Sequence, residues 1–458
     1  MPSGRFKKIL VANRGEIAIR VICACKELGI RTVAVYSEAD RYSAHVRFAD
    51  QAICIGPAKS ARSYLEIPAV ISAAEIANAD AIHPGYGFLS ENASFAEVCE
   101  ASGIAFIGPK PDVIRLMGVK EQARAFMRDQ GVPVLPGSTG VLQTPEEALE
   151  VAAQIGYPVI LKASAGGGGR GMRVVQRAED LPHLFLQAQQ EAGAAFATPD
   201  VYLEKFISAP RHIEFQVLAD ELGSVEILGE RECSIQRRHQ KLIEESPSPA
   251  MTDSLRAEIS AKLQKALSNA RYTNAGTVEF LMDERGELYF IEVNARVQVE
   301  HPVTEMVTGI DIVKSQIRIA QGERLRSVIR GPVQLRGHAI ECRINAENPE
   351  TFAPSPGRVT GFHVPGGIGV RVDTWAYTDC LIPPYYDSLV AKLICHGYDR
   401  GEAIQRMARA LDMFVVEGIH TSIPLHKKIL AHPDFQAARL DTNFIARMLT
   451  PAKIETPV

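Results

Sequence analysis

The 458-residue sequence lacks several features that mark special classes of protein. No apolar run approaches the ~20 residues that span a bilayer, so we expect no membrane segment. The net charge of −4 is spread evenly, which argues against a nucleic-acid-binding surface. Neither a signal-peptide apolar core nor an Arg- and Ser-rich transit segment precedes the first predicted strand, so we expect a cytoplasmic location.

Disulfide and zinc signatures are also missing. The eight cysteines include no CxxC pair and lie among apolar neighbours, as expected for reduced, mostly buried thiols. Cys233 lies in the charged segment ERECSIQRRHQK and is the cysteine closest to candidate chemistry. Packing is the preferred interpretation for Cys233, and a reactive thiol is the alternative.

Two common nucleotide-binding signatures are absent, because no GxGxxG follows the first strand and no GK[ST] ends a glycine loop. A glycine-rich loop does occur at 166–171, between two predicted strands. Such a loop can present backbone N–H groups to phosphate oxygens as a flexible lid. Lys162, at the end of the preceding strand, is placed as a phosphate-binding charge. The alternative is a mobile linker.

Hydrophobic periodicity divides the chain into three parts. A βαβ rhythm through residue 108 predicts a doubly wound α/β domain over 1–115. The pattern changes near residue 116, and Gly331-Pro332 marks a second boundary. We therefore predict domains at 1–115, 116–330 (with a lid at about 134–207) and 331–458, in a mixed α/β and α+β fold.

The segment FIEVNARVQVE (290–300) concentrates polar residues at alternate positions. In an extended chain these residues share one face, which predicts a strand carrying a metal, an anion and a proton-transfer group. The five residues are Glu292, Asn294, Arg296, Gln298 and Glu300.

A hairpin leads into this segment, with a turn at 283–286. The turn sets Glu279 opposite Glu292 to within about one residue. Two buried carboxylates are costly without a cation between them. With Asn294 the donors are all oxygen, which favours Mg²⁺ or Mn²⁺. The alternative is a solvated hairpin face.

A second group of cationic residues lies near position 240, at Arg237, Arg238, His239 and Lys241. These side chains either lie on a solvated surface strand or neutralise an anion at the metal site. A weaker signal is the strand end at 204–207, whose backbone groups could contact an adenine.

Together these motifs strongly resemble the biotin carboxylase family, over essentially the whole chain and in family order. The matching stretches are VANRGEIAIR (11–20), HPGYGFLSEN (83–92), KASAGGGGRGMRVV (162–175), PRHIEFQVLAD (210–220), RRHQKLIEESPSP (237–249), FIEVNARVQVEHPVTEM (290–306), GHAIECRINAE (337–347), PSPG (354–357) and PPYYDS (383–388). The resemblance implies a pre-ATP-grasp domain, an ATP-grasp domain with a glycine-rich lid, and a biotin carboxylase C-terminal domain.

The resemblance also implies roles for individual residues. The implied ATP contacts are Lys120, Lys162, Gly168, Gly169, Glu204, Lys205, Phe206, Ile207, His212, Gln236, His239, Glu279 and Glu292. The implied metal ligands are Glu279, Glu292 and Asn294. The implied bicarbonate site is Lys241, Arg296, Gln298, Val299 and Glu300, with Glu300 as general base. Arg343 resembles the residue that stabilises the biotin enolate, so Glu300, Arg296, Arg343 and Lys241 are the implied catalytic set.

The implied reaction uses ATP, two Mg²⁺ or Mn²⁺ ions, bicarbonate and carrier-bound biotin, and passes through carboxyphosphate. No methionine precedes a lysine, so the biotinyl-lysine signature is absent, and little length remains after Arg343 and the C-terminal helix for a carboxyltransferase. We therefore expect the biotin carboxyl carrier protein and the carboxyltransferase to be separate chains. The implied system is acetyl-CoA carboxylase, with pyruvate, 2-oxoglutarate or propionyl-CoA carboxylase as alternatives, and a homodimer is expected. The rival functions are a carboxylate–amine ligase and a non-catalytic nucleotide-binding subunit.

Overall fold

The N-terminal part folds as predicted, around a parallel sheet. The computed structural model describes residues 6–164, 172–196 and 198–450. The strands are β1 (Lys8–Val11), β2 (Arg31–Ser37), β3 (Gln51–Gly56), β4 (Ala81–His83) and β5 (Ala105–Phe106). The helices are α1 (Gly15–Glu27), α2 (Ala44–Phe48), α3 (Ile67–Ile76), α4 (Ala93–Ala101) and α5 (Pro111–Gly118). The order β3-β2-β1-β4-β5 reverses direction between β1 and β4.

Ligand sites in such sheets lie beyond the carboxyl ends of the strands at the reversal point. There Gly15 adopts a φ of +67°, which lets the chain turn from β1 into α1. The Asn13 side chain donates hydrogen bonds to the carbonyl oxygens of Pro84 and Tyr86, both at 2.7 Å. The loops after β1 and β4 are thereby held together.

The central part contains a small lid sheet and most of a large sheet. Its strands are β6 (Val159–Ala163), β7 (Arg173–Val175), β8 (Val201–Lys205), β9 (Arg211–Ala219), β10 (Val225–Arg237), β11 (Gln240–Ser246), β12 (Asn274–Met282) and β13 (Leu288–Asn294). Its helices are α6 (Lys120–Asp129), α7 (Pro145–Ile155), α8 (Leu181–Phe196), α9 (Asp253–Asn269), α10 (His301–Thr308), α11 (Ile312–Ala320) and α12 (Leu325–Val328). The lid sheet has the order β7-β6-β8 and packs its apolar side chains against α7 and α8.

The C-terminal part adds strands to the large sheet. Its strands are β14 (His338–Asn345), β15 (Gly357–Arg358), β16 (Gly361–His363), β17 (Val370–Thr374), β18 (Leu381–Ile382), β19 (Leu389–Gly397) and β20 (Val415–Glu417). Its helices are α13 (Arg400–Met413), α14 (Ile423–Ala431), α15 (Pro433–Gln436) and α16 (Phe444–Leu449). Single 3-10 turns occur at Glu38–Asp40, Ser60–Arg62 and Ala178–Asp180.

The large sheet has eight strands in the order β13-β12-β9-β10-β11-β14-β19-β17, and every neighbouring pair is antiparallel. The β11–β14 pairing carries the sheet across residue 331 without interruption. Ile235 and Ile243 on one side of that pairing share a buried core with Leu393 and with Met407 of α13. The sheet is therefore the common frame of the central and C-terminal parts.

The predicted strand over 290–300 is wrong beyond Asn294, where β13 ends. Residues 295–300 form an irregular turn, and α10 begins at His301 with Pro302 in its first turn. Val297 is fully buried in the same apolar core as Ile17 and Leu218, so the turn is fixed by packing with other elements. The polar side chains of the turn bond to residues on several elements. They therefore meet at the site without the alternating side-chain directions of a strand.

Within the described ranges, no helix is both long and apolar enough to cross a membrane.

Candidate functional site

The hairpin of β12 and β13 places its two carboxylates as predicted. Glu279 lies directly opposite Glu292 in the register, and Gly286 has a φ of +83° in the connecting turn. Glu279 Oε1 accepts hydrogen bonds from Lys241 Nζ at 3.0 Å and from Asn294 Nδ2 at 3.0 Å. Burial opposes ionisation of Glu279, but Lys241 and then His212 outweigh it, so its pKa lies well below the ordinary value. Glu279 is therefore an anion at neutral pH.

Lys241 is the cationic centre of the site. Its Nζ lies 2.6 Å from Glu214 Oε2, 3.0 Å from Glu279 Oε1 and 2.6 Å from Glu300 Oε1. Burial lowers the pKa of Lys241, but the three carboxylates raise it by more, so the net shift is upward. The ammonium group therefore stays charged and holds three carboxylates together.

Glu300 is fully buried between two cations. Its Oε1 accepts from Lys241, and its Oε2 accepts from Arg343 Nη2 at 3.0 Å. Burial raises the pKa of Glu300, whereas Lys241 and then Arg343 lower it to a net value well below the ordinary one. Because Arg343 lies on β14, this contact joins the hairpin site to the C-terminal strands. Among the described ion pairs Arg343 contacts Glu244 and Glu300, and none joins it to Glu341 or Glu347, its acidic neighbours in the sequence.

Arg296 is held by three elements. Its guanidinium donates to Glu91 Oε2 at 2.7 Å, to Gln298 Oε1 at 2.7 Å and to Asn294 Oδ1 at 3.0 Å. Gln298 in turn donates to Glu279 Oε1 at 3.1 Å. The five polar residues of the predicted strand face therefore come near one another, although only two of them belong to a strand.

Val299 and His301 fix the turn itself. The Val299 carbonyl oxygen accepts from the buried Lys392 Nζ at 2.9 Å. His301 Nδ1 lies 2.7 Å from the carbonyl oxygen of Gln298. The backbone that carries Gln298, Val299 and Glu300 is thus held from both sides.

Two further lysines face the site from α6 and the lid. Lys120 Nζ lies 2.8 Å from Glu292 Oε2, and Lys162 Nζ lies 2.5 Å from Glu204 Oε2. Lys205 donates its ammonium hydrogens to the carbonyl oxygens of Gly156 and Tyr157. The backbone N–H groups of Lys205 and Phe206 donate to the carbonyl oxygens of Pro136 and Pro158. These bonds hold the strand end at 204–207 in place.

The donor set fits a hard divalent cation. Glu279, Glu292 and Asn294 present oxygens from two adjacent strands, and Glu292 and Asn294 are two residues apart on β13. His212 adds a nitrogen 3.2 Å from Glu279 Oε2 and also lies near Glu214. The carboxylate oxygens are paired with lysines here, so binding of a cation would take over contacts that Lys120 and Lys241 now make.

The second group of cationic residues is spread out. Arg238 and His239 are exposed in the two-residue turn between β10 and β11, and the Arg237 guanidinium lies 3.7 Å from the Phe352 ring centroid. Gln236 is buried on β10 opposite Lys241. Only Lys241 of the group reaches the carboxylates. Gly168 and Gly169 lie outside the described residues.

Cys233 is fully buried, which agrees with the packing interpretation. Burial and then Glu214 raise the pKa of its thiol well above the ordinary value, so the thiol is neutral.

Sequence reasoning did not single out several residues of the site. Glu214 lies two residues after His212 on β9, and that alternation was a usable signal. Lys392 is a lone cation in the apolar run SLVAKLICHG, which was a second signal. Glu91 reaches Arg296 from 205 residues away, and local sequence holds no sign of that contact.

Comparison with known proteins gives matches along the chain. Family models match at residues 5–114 (biotin carboxylase, N-terminal domain), 119–328 (carbamoyl-phosphate synthase L chain, ATP binding domain) and 341–447 (biotin carboxylase C-terminal domain). The biotin carboxylase of Nostoc sp. is 58% identical over 445 residues, covering 97% of this chain and 99% of the relative. A pyruvate carboxylase subunit of Methanothermobacter thermautotrophicus is 55% identical, covering 96% of this chain and 89% of the relative.

A solved structure with a similar fold is the biotin carboxylase domain dimer of Hydrogenobacter thermophilus 2-oxoglutarate carboxylase. It has a TM-score of 0.91 and 49% identity, and the match covers 98% of this chain and all of that chain. That protein was crystallised with MgADP, ADP and bicarbonate.

Proposed function

Because this chain belongs to the biotin carboxylase family of ATP-dependent ligases, we propose that it carboxylates biotin on a separate carrier protein. The proposed reaction uses ATP and bicarbonate and proceeds through carboxyphosphate. The observation that carries the proposal is the placement of Glu300, a buried carboxylate between Lys241 and Arg343. Glu300 thus contacts two cations. One is Lys241, at the place proposed for the bicarbonate anion, and the other is the Arg343 guanidinium from the C-terminal strands.

Glu300 is the proposed general base for bicarbonate. Its depressed pKa keeps it unprotonated, while the cations around it make it a weak base until bicarbonate binds. When bicarbonate binds, Lys241 and Arg296 share their positive charge with the incoming anion, which makes Glu300 more basic. Gln298 and the Val299 backbone, beside Arg296, complete the proposed bicarbonate pocket.

The proposed nucleotide site lies between the hairpin and the lid. Lys120 and Lys162 are the proposed phosphate contacts, and His212, Gln236 and His239, on β9 and the β10–β11 hairpin, are further proposed ATP contacts. Glu279, Glu292 and Asn294 would hold two Mg²⁺ or Mn²⁺ ions, which when bound neutralise phosphate charge during transfer. The strand end at 204–207 is the proposed adenine edge, and the bonds of Lys205 and Phe206 to Pro136 and Pro158 hold its backbone in place.

Arg343 is the proposed biotin-contacting residue. Its side chain is 16% exposed, so part of it remains open to a substrate while two carboxylates hold the guanidinium. A fixed cation aimed at a developing oxyanion stabilises it without reorganisation. This geometry suits the enolate form of the biotin ureido group.

The direct test measures ADP release with and without bicarbonate, and carboxybiotin formation with free biotin and labelled bicarbonate. We expect bicarbonate-dependent ATP cleavage and label transfer to biotin. ATP cleavage that requires an amine acceptor instead would support the carboxylate–amine ligase, and no cleavage would support a non-catalytic subunit.

The proposed system is acetyl-CoA carboxylase, and its support is the several relatives named biotin carboxylase that match over nearly their whole length. Pyruvate and 2-oxoglutarate carboxylases are the alternatives, since relatives with those names match as well. Affinity purification from the native cell, followed by identification of the bound transferase, distinguishes them. The proposed homodimer is tested by light scattering of the purified chain.

A further inference from the structure

Two glutamates outside the proposed site face each other beneath Arg343. Glu244 on β11 is the direct partner of Glu341 on β14 in the antiparallel register. Directly paired residues share one face of a sheet, with Cβ atoms about 5 Å apart. Arg343, two residues after Glu341, lies on the same face. Both glutamates are fully buried.

The hydrogen bonds of this pair are unequal. Glu244 Oε1 accepts from Arg343 Nε at 2.6 Å. Glu244 Oε2 and both carboxyl oxygens of Glu341 have no hydrogen-bond partner within the described part of the chain. Burial of two ionised carboxylates side by side, with three oxygens unsatisfied, is costly. One proton between the two groups removes the repulsion and supplies the missing donor.

The surrounding charges decide where that proton lies. Glu244 has the Arg343 guanidinium in direct contact, whereas Glu341 has no ion-pair partner among the described residues. The other charged groups on this face or packed against it are Lys392 of β19, Asp373 of β17, Glu16 of α1, Lys241 of β11 and Glu300 of the turn.

Burial and these charges together raise the pKa of both glutamates, but to different extents. Burial raises the pKa of Glu341 well above its ordinary value, against Lys392 and with the help of Glu244. Burial raises the pKa of Glu244 to about 7, against the opposing effect of Arg343. Glu341 is therefore the better place for the proton.

We propose that Glu244 and Glu341 hold a single proton, resident on Glu341, and that Glu244 as a carboxylate is a positioning residue for Arg343. The inference rests on the proposed function, in which Arg343 acts in the second half-reaction, the transfer of the carboxyl group to biotin that follows ATP cleavage. When Glu300 takes a proton from bicarbonate, Arg343 loses one of its two anionic partners. Glu244 keeps the guanidinium in place for biotin during that interval.

The test compares Glu244→Gln, Glu341→Gln and the exposed control Glu350→Gln. Glutamine mimics a neutral carboxyl, so Glu341→Gln keeps the charge state proposed for Glu341, whereas Glu244→Gln removes the anion that holds Arg343. We expect Glu341→Gln and Glu350→Gln to form carboxybiotin within about threefold of the parent chain. We expect Glu244→Gln to lose about tenfold or more, the scale of a lost charge-assisted hydrogen bond. ATP cleavage by Glu244→Gln without biotin should stay within about threefold of the parent rate.

Infrared difference spectra provide a readout that does not depend on activity. At pH 7.5 the parent-minus-Glu341→Gln spectrum should contain the C=O band of a protonated carboxyl group, and the parent-minus-Glu350→Gln spectrum should not. Absence of that band, or equal losses of both half-reactions in Glu244→Gln, would overturn the inference. If the parent chain shows no bicarbonate-dependent ATP cleavage, the proposed function fails, and the infrared result still decides the shared proton.

Discussion

At the scale of single residues, the centre of the site depends on buried charges that are paired across elements. Glu300 shows this most clearly, because its two oxygens contact a lysine from β11 and an arginine from β14. Removing one member of such a group leaves the others buried without compensation. The effect of a substitution here must therefore be measured separately on ATP cleavage and on carboxybiotin formation.

Glu300→Gln should lower bicarbonate-dependent turnover by ~10²–10³-fold, as for loss of an acid–base group. The affinity for ATP should change little, because Glu300 contacts Lys241 and Arg343 and not the lysines proposed to bind phosphate. Steady-state kcat and KM for ATP provide the check. A variant unable to bind nucleotide would show instead that Glu300 is needed to maintain the turn.

Arg343→Ala should reduce carboxybiotin formation by ~10²-fold or more, the scale of a lost oxyanion donor. ATP cleavage with bicarbonate but without biotin should survive, because Arg296 and the hairpin carboxylates are untouched. Arg358→Ala, at an exposed site in the same part of the chain, is the control. Equal losses in ADP release and carboxybiotin yield would contradict this role.

At the scale of elements, local sequence predicted the hairpin better than the turn after it. The register of Glu279 with Glu292 and the turn at Gly286 follow from two apolar runs joined by a turn-like link. The continuation to Glu300 failed because tertiary packing around Val297 outweighed local alternation. The apolar run around Lys392 marked that lysine, but its partner could not be read from the sequence, because the contact depends on where the turn places the Val299 carbonyl.

Glu292→Gln should raise the Mg²⁺ concentration needed for half-maximal turnover severalfold, because a hard anionic ligand becomes neutral. Glu279→Gln should do the same. Glu287→Gln, exposed on the same hairpin, is the matched control. Wild-type Mg²⁺ titrations and turnover in both site variants would refute the metal assignment.

Glu245 predicts an acid-dependent loss of stability. It lies 2.6 Å from His338 and 2.7 Å from Arg400. Burial opposes its ionisation, but the His338 hydrogen bond and Arg400 lower its pKa to about 2. A carboxyl whose pKa falls on folding stabilises the fold fully above its unfolded pKa of ~4.3, and that contribution is lost as pH falls toward 2.

The contribution is at most ~3 kcal/mol at pH 6. Glu245→Gln should therefore lower the urea midpoint clearly at pH 6 and about half as much at pH 3, where part of the contribution is already lost. Glu417→Gln, at an exposed position, should leave both midpoints unchanged. A deficit in Glu245→Gln that is equal at both pH values would mean packing, not ionisation, is responsible.

At the scale of the whole molecule, the site needs all three parts of the chain. Arg296 in the central part takes its closest anionic partner, Glu91, from the N-terminal part. Glu91 also accepts from the Ala295 backbone at 2.9 Å, so it fixes both the guanidinium and the start of the turn.

Glu91→Gln should raise the KM for bicarbonate about tenfold through loss of a charge-assisted hydrogen bond, with the KM for ATP nearly unchanged. Glu97→Gln, which removes a half-exposed partner of Arg115, is the control. Parallel increases in both KM values would indicate a general loosening of the contact between the two parts.

The unbroken sheet also sets how the chain can be divided. Cutting near residue 331 would leave β11 and β14 each with a row of unpaired backbone donors and acceptors. Bare strand edges of this kind recruit other chains and aggregate. Each fragment would also expose half of the core that Ile243 shares with Leu393. We therefore expect neither fragment to stay soluble alone. The two form one folding unit, in which each covers the strand edge and the apolar surface of the other.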